Sequence, residues 1–234
     1  SDLSNGWFID KPVGEIWNYK LLGIWQKDEY QEAAKYGQKP GDPKVWNNPD
    51  NDVYNEDGTV KEYVFNDDDK VFQGTTAPPV YWTWKNDFTI FKDWTFSFSM
   101  YSYMGHKSQD WTYLNGDNGG SWVTNTGNVW KKDYWTVENP SNEYARLEAQ
   151  GPNGGTTAAP PRILNRNFVR IDNVSIGYTV PQKLTRQFYI DRLRLSAGIK
   201  NLCTIHAGTW KYGDPESGNG LGVRTYTFGL SVTL

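Results

Sequence analysis

Hydrophobic and polar residues alternate with period two through much of the chain. In Trp94–Met104, Trp94, Phe96, Phe98 and Met100 fall on one side, and Thr95, Ser97, Ser99, Tyr101 and Tyr103 on the other. Successive side chains of a strand point to opposite faces, so this run predicts a strand with one apolar and one polar face. Val80–Ile90 repeats the pattern, with Asn86 the exception on the apolar side. Only the three residues 91–93 separate the two runs, which predicts a hairpin. Further strands are expected at residues 168–180, 193–199 and 224–234, and a weaker one at 15–25. Within 168–180 the apolar parity slips near Asp172 and Asn173, which predicts a β-bulge or a strand-end irregularity.

The connections alternate in length. Residues 91–93 form a tight link and 181–189 a moderate one, whereas 26–79, 105–167 and 202–223 are long. Long structureless connections are uncommon in compact domains. Membrane β-barrels have short turns at one rim and long loops at the other. The long connections here fall at every second position and so share a rim. Two architectures fit the alternation: a sandwich with its apolar faces packed together, and a barrel with its apolar face toward lipid and its polar face toward a wet lumen. Loop asymmetry favours the barrel. About six strands cannot close one, since the smallest have about eight. An open edge in lipid leaves backbone groups unpaired at high cost. In the barrel reading, therefore, the 234 residues form part of a larger wall.

Composition narrows the choice further. Aromatics make up 16% of the chain, with 12 Trp and 15 Tyr, yet the chain is polar on average. Trp and Tyr combine an apolar body with a polar tip, which suits sugar-binding surfaces and the aromatic girdles of barrels alike. The net charge of -3 and the lack of a basic stripe argue against nucleic acid as a partner. A single cysteine, Cys203, excludes an internal disulfide and a cysteine-based zinc cluster. No run approaches the 18 or so apolar residues of a membrane helix, a criterion that barrel strands escape. The first ten residues lack the pattern of a signal peptide.

Seven segments, in order, resemble the C-terminal barrel region of SusC/RagA-type TonB-dependent receptors. They are KPVGEIWNYKLLGIWQ (11–26), KYGQKPGD (35–42), KDYWTVENPSNEYARL (132–147), FVRIDNVSIGYTVPQKL (168–184), RLRLSAGIKNL (192–202), GDPE (213–216) and RTYTFGLSVTL (224–234). Val137 stands where the family usually has proline, and the terminal Leu234 where Phe is common. The resemblance implies an all-β, antiparallel transmembrane barrel segment of about six strands with long extracellular loops, one part of a plugged barrel of about 22 strands. It implies residence in the outer membrane of a Gram-negative, Bacteroidetes-type bacterium. It also implies import of oligosaccharides or peptides, energy from TonB through an N-terminal plug region, a SusD-like lid lipoprotein as partner, and no enzymatic activity. The rival reading is a soluble carbohydrate-binding β-sandwich.

Candidate chemistry is sparse. Asn55, Asp57 and Gly58 match positions three, five and six of a calcium loop, but Val53 and Val64 occupy positions one and twelve. Asp50, Asp52, Asn55 and Asp57 are therefore a weak calcium candidate beside a solvated acidic loop, and no other cofactor is expected. His106 and His206 lie just past strand ends without an orienting group. Trp111, Trp122, Trp130 and Trp135 crowd the longest connection. Trp130 and Trp135 are expected to pack or dock, whereas Trp111 and Trp122 are candidates for stacking on cargo. Tyr101 and Tyr103, on the polar face near the long-loop rim, are candidates to line the cargo path. GNGLG (218–222) precedes a strand, not a helix, so it is not a phosphate loop.

Overall fold

The computed structural model describes residues 2, 6–114, 132–152, 159–218, 220 and 222–234. In chain order the elements begin with β1 (Glu15–Tyr19), β2 (Leu21–Ile24), α1 (Tyr30–Lys35), β3 (Pro43–Val45), β4 (Val53–Tyr54), β5 (Val60–Glu62) and β6 (Lys70–Thr75). They continue with β7 (Val80–Ile90), β8 (Trp94–Met104), β9 (Lys107–Asp110), β10 (Arg162–Asn165), β11 (Phe168–Thr179), α2 (Gln182–Thr185), β12 (Arg192–His206) and β13 (Thr225–Thr233). The chain divides into two units, one of residues 1–76 with 108–164 and one of 77–107 with 165–234.

The second unit is a five-stranded antiparallel sheet in the order β13-β12-β11-β8-β7. Its register puts the alternation to use. Trp84 lies opposite Met100, and Phe88 opposite Phe96. Phe96 and Phe98 in turn face Ile176 and Val174. The apolar side chains thus form one continuous face, and Thr, Ser and Tyr form the other. Register shifts between Ile171 and Asn173 against both neighbours. That is the expected bulge, and it keeps Val169 and Ile171 on the same face as Val174, Ile176 and Tyr178 although their parity differs. On β12 the matching irregularity falls at Asn201 and Leu202, where Asn201 is left-handed with φ 56°.

The apolar face is open to solvent. Trp84 is 55% exposed, Phe228 83% and Leu230 67%. The other sheets have two strands each, so among the described residues there is no second sheet of the size a sandwich layer needs. Hairpin β7–β8 turns through Phe91 and Lys92, both left-handed, an arrangement that matches the twist of the flanking strands. At that end α2 and a single helical turn at Arg186–Phe188 fill the β11–β12 connection. The long connections leave and return at the opposite end, where Val80 pairs with Met104 and Phe168 with Tyr103 and His206.

Two sequence expectations change here. Residues 15–25 do not add a strand to this sheet. The run breaks at Lys20, and β1 pairs with β6 while β2 pairs with β3. The strand expected at 193–199 continues to His206, because the Asn201 irregularity restores alternation on its far side. Cys203 therefore lies within a strand, opposite Ile171.

The first unit is folded from connections that read as loops. Ile24, Tyr113, Trp135 and Ala145 make its apolar core. Asp42, 1% exposed, is its polar hub: it accepts hydrogen bonds from Lys39 N, from Arg146 Nε at 2.8 Å and from Gln150 N at 2.9 Å. Asn142 Oδ1 accepts from Ile24 N at 2.8 Å, and Trp25 Nε1 donates to the buried Gln38. The segments 11–26, 35–42 and 132–147 are thus tied together far apart in sequence. Trp135 packs in the core, as expected.

Candidate functional site

A dense polar arrangement of the second unit lies on the polar face of the sheet, at its long-connection end. Register places Phe168 beside Tyr103 and Arg170 beside Tyr101 on β8, and Arg170 beside Thr204 on β12. Tyr101 and Tyr103 have ring centroids 5.8 Å apart, and Phe168 meets them at 6.0 and 5.3 Å. Arg170 rises from this aromatic floor, its guanidinium carbon 5.4 Å from the Phe168 ring and 5.7 Å from that of Tyr101.

The β12–β13 connection comes down onto the guanidinium. Arg170 Nη2 donates to Asp214 Oδ1 and Oδ2 at 2.5 and 2.6 Å, and Nη1 lies 3.0 Å from Glu216 Oε2. Nε donates to Thr204 Oγ1 at 3.1 Å. Tyr101 Oη donates to the same Glu216 oxygen at 2.7 Å. Arg166 holds the backbone beside it, donating from Nε and Nη2 to Pro215 O and from Nη2 to Glu216 O. Trp210 is buried and stacks over Arg166 at 5.3 Å. The Arg170 and Asp214 side chains are each 9% exposed. Charge-assisted bonds in so dry a place are short and strong, and removing one partner from such a pair costs about 3–5 kcal/mol.

His106 lies just past the end of β8 and is 4% exposed. Its ring contacts Tyr103 and Phe168 edge-on, and Nδ1 has no hydrogen-bond partner. Burial, and then the nearby Arg166 charge, hold its pKa below the usual imidazole value. His206 is exposed, with Nδ1 3.0 Å from Ala207 O.

The structure brings Tyr101 and Tyr103 together, and the Tyr101 hydroxyl is already engaged by Glu216. Trp111 belongs to the first unit, follows β9 and is 49% exposed. Trp122 and Trp130 lie outside the described residues. Among the acidic candidates, Asp52, Asn55 and Asp57 are engaged in hydrogen bonds within the loop. Asn55 and Asp57 close the β4–β5 hairpin, Asp57 Oδ1 accepting from Thr59 N and Oγ1 at 2.9 and 2.6 Å. Those bonds hold the Asp57 pKa below its ordinary value. Asp52 accepts from Asn47 Nδ2 and Val64 N, and Asp50 lies in the helical turn Pro49–Asn51. Among the described residues no three His, Cys, Asp or Glu side chains gather closely enough to hold a metal ion.

Sequence reasoning missed Arg166, Arg170, Thr204, Asp214 and Glu216. A signal existed for some of them. Arg170 sits at a polar-face position of FVRIDN, and GDPE carries both carboxylates, but nothing in the pattern joins the two.

No family model matches the chain, and no curated protein matches it. Solved structures do. The chain is similar to a chain of the RagAB peptide importer in its open-open state, at TM-score 0.58 and 16% identity, over 97% of this chain and 24% of that one. Another RagAB structure, described as a peptide transporter, gives 0.58 and 19%, over 97% and 23%. The closed-closed importer gives 0.59 and 17%, over 96% and 24%. The chain thus spans about a quarter of the length of the chains it matches. At such identities the likeness concerns the fold: this is an all-β, antiparallel architecture shared with part of the RagAB importer chains.

Proposed function

We propose that the chain is part of the wall of an outer-membrane import barrel of the SusC/RagA type, carrying peptides or oligosaccharides. The observation that carries this reading is the exposed apolar face of the five-stranded sheet. In water such a face would associate or precipitate; in a bilayer it is the solvated state. Strand lengths agree. The five strands have 9 to 15 residues, and a tilted barrel strand needs about 9–11 to span. The free edges of β7 and β13 require partners in lipid, which the rest of a larger chain would supply. Likeness to a peptide importer supports import as the role, and peptides are the cargo class to test first. Energy from TonB through a plug region and a SusD-like lipoprotein at the mouth belong to the same proposal, and the long connections would then face the cell exterior. Tyr101, Tyr103, Trp111 and Trp122 are the proposed cargo contacts, Tyr101 through its ring.

Lipid-phase quenching tests the reading. With the protein reconstituted in vesicles carrying brominated acyl chains, Trp84→Phe and Trp94→Phe each lower the quenchable fraction of tryptophan emission. Quenching that neither substitution alters would show that the apolar face does not meet lipid.

A further inference from the structure

The stretch Trp210–Glu216 of the β12–β13 connection is held to the polar face of the sheet by an unusual concentration of contacts. Two arginines of one strand and its lead-in, Arg166 and Arg170, reach it, and Tyr101 of β8 reaches it from a second strand. The grip falls on three consecutive residues. Asp214 and Glu216 are held through their carboxylates, and Pro215 through its carbonyl oxygen. Within the stretch Asp214 Oδ1 also accepts from Glu216 N at 2.8 Å, so the two acids are set in place for one guanidinium.

We infer that Trp210–Glu216 is a strap latched to the polar face by Arg170, and that releasing this latch uncovers the aromatic floor of Tyr101 and Phe168. The latch is ionic where it grips, and its partners come from distant parts of the chain. Such contacts are lost together when one charge is neutralised, since the remaining carboxylates are then left without a counter-ion. Arg166 acts differently. Among the described residues it donates to backbone carbonyls and stacks under Trp210, so it seats the strap without supplying the charge match. Neutralising Arg166 therefore loosens the strap less than neutralising Arg170. The position of the latch is a property of the fold. Its role in letting cargo pass rests on the import reading above.

Hydrogen exchange on the intact protein in detergent micelles tests the latch separately from import. Arg170→Met speeds exchange across residues 210–216 at least tenfold, while the β11 and β8 amides stay protected. Asp214→Asn combined with Glu216→Gln leaves the arginine in place and gives the same pattern. Arg166→Met gives a smaller increase. Unchanged exchange at 210–216 in Arg170→Met overturns the latch, as does exchange rising equally along β11, because the arginine would then be holding the sheet and not the strap. None of these outcomes depends on transport. A latched strap in a protein that fails the lipid-quenching test would refute the barrel reading alone.

Discussion

Replacing Phe228 with arginine distinguishes a wall that faces lipid from a sheet that faces water. Phe228 lies opposite Ala197 on the apolar face and is 83% exposed. It sits one residue from the middle of the nine-residue β13. At about 3.4 Å of rise per residue, it is within about 3 Å of the depth at which a spanning strand meets the bilayer centre. At so open a position in water, a substitution changes stability by no more than about 0.5 kcal/mol. Arginine on the lipid face at mid-depth costs about 2–4 kcal/mol, roughly a 30- to 1,000-fold shift in the folding equilibrium. Thr227→Arg is the control. It lies one residue away, opposite Gly198 on the polar face, and should cost less than about 1 kcal/mol because its side chain points to the hydrated side. Urea titration of the protein folded in lipid vesicles, followed by tryptophan emission, reads both. If the two arginines cost the same, or the Thr227 variant costs more, the assignment of faces is wrong.

Other predictions concern particular residues. Trp135→Ala empties a buried ring from the core of the first unit and should destabilise it by about 3–5 kcal/mol, read as faster proteolysis within 132–147. Gly41→Ala should destabilise the same unit by at least about 1–3 kcal/mol. The added methyl would lie 2.6 Å from Trp135 Cε3 and 2.7 Å from Arg146 Cβ, at a φ of +92°. His106 has a lowered pKa in the folded state, so the unfolded state binds more protons between the two pKa values. The stability it contributes is present above about pH 6.5 and is lost as pH falls through the folded value. Exchange at residues 103–108, corrected for intrinsic rates, should therefore quicken on acidification, and His106→Gln should flatten that dependence.

Much of the sheet was legible because a half-exposed strand must alternate, and alternation is local information. β7, β8 and the bulge of β11 could be read from one residue and the next. The same local rule failed at residues 15–25, where the alternation is real but says nothing about the partner. β1 and β2 belong to the first unit and pair there with strands about twenty to sixty residues away, not with the five-stranded sheet. It also stopped short on β12, because the left-handed Asn201 interrupts a parity that resumes at Cys203. The first unit was harder for a related reason. Its core is a set of long-range ties, such as Asp42 to Arg146 and Ile24 to Asn142, and the segments that make it have no period of their own.

The polar site tests what a pattern can say about function. Parity alone put Tyr101 and Tyr103 on the polar face, and the structure puts them there. Parity could not say what else would arrive. Asp214 and Glu216 reach Arg170 across 44 and 46 positions of sequence, and that meeting depends on the path of the β12–β13 connection, which no alternation encodes. The consequence changes the role open to Tyr101. Its hydroxyl donates to Glu216, so cargo that sought this hydroxyl would have to displace a carboxylate that also balances the buried Arg170. The ring carries no such commitment. Tyr101→Phe should therefore weaken the strap and leave an aromatic surface for stacking, whereas Tyr101→Ala should remove both. If uptake falls equally in the two variants, the hydroxyl and its bond to Glu216 matter, and the ring does not. If it falls only in Tyr101→Ala, the aromatic floor is what cargo meets.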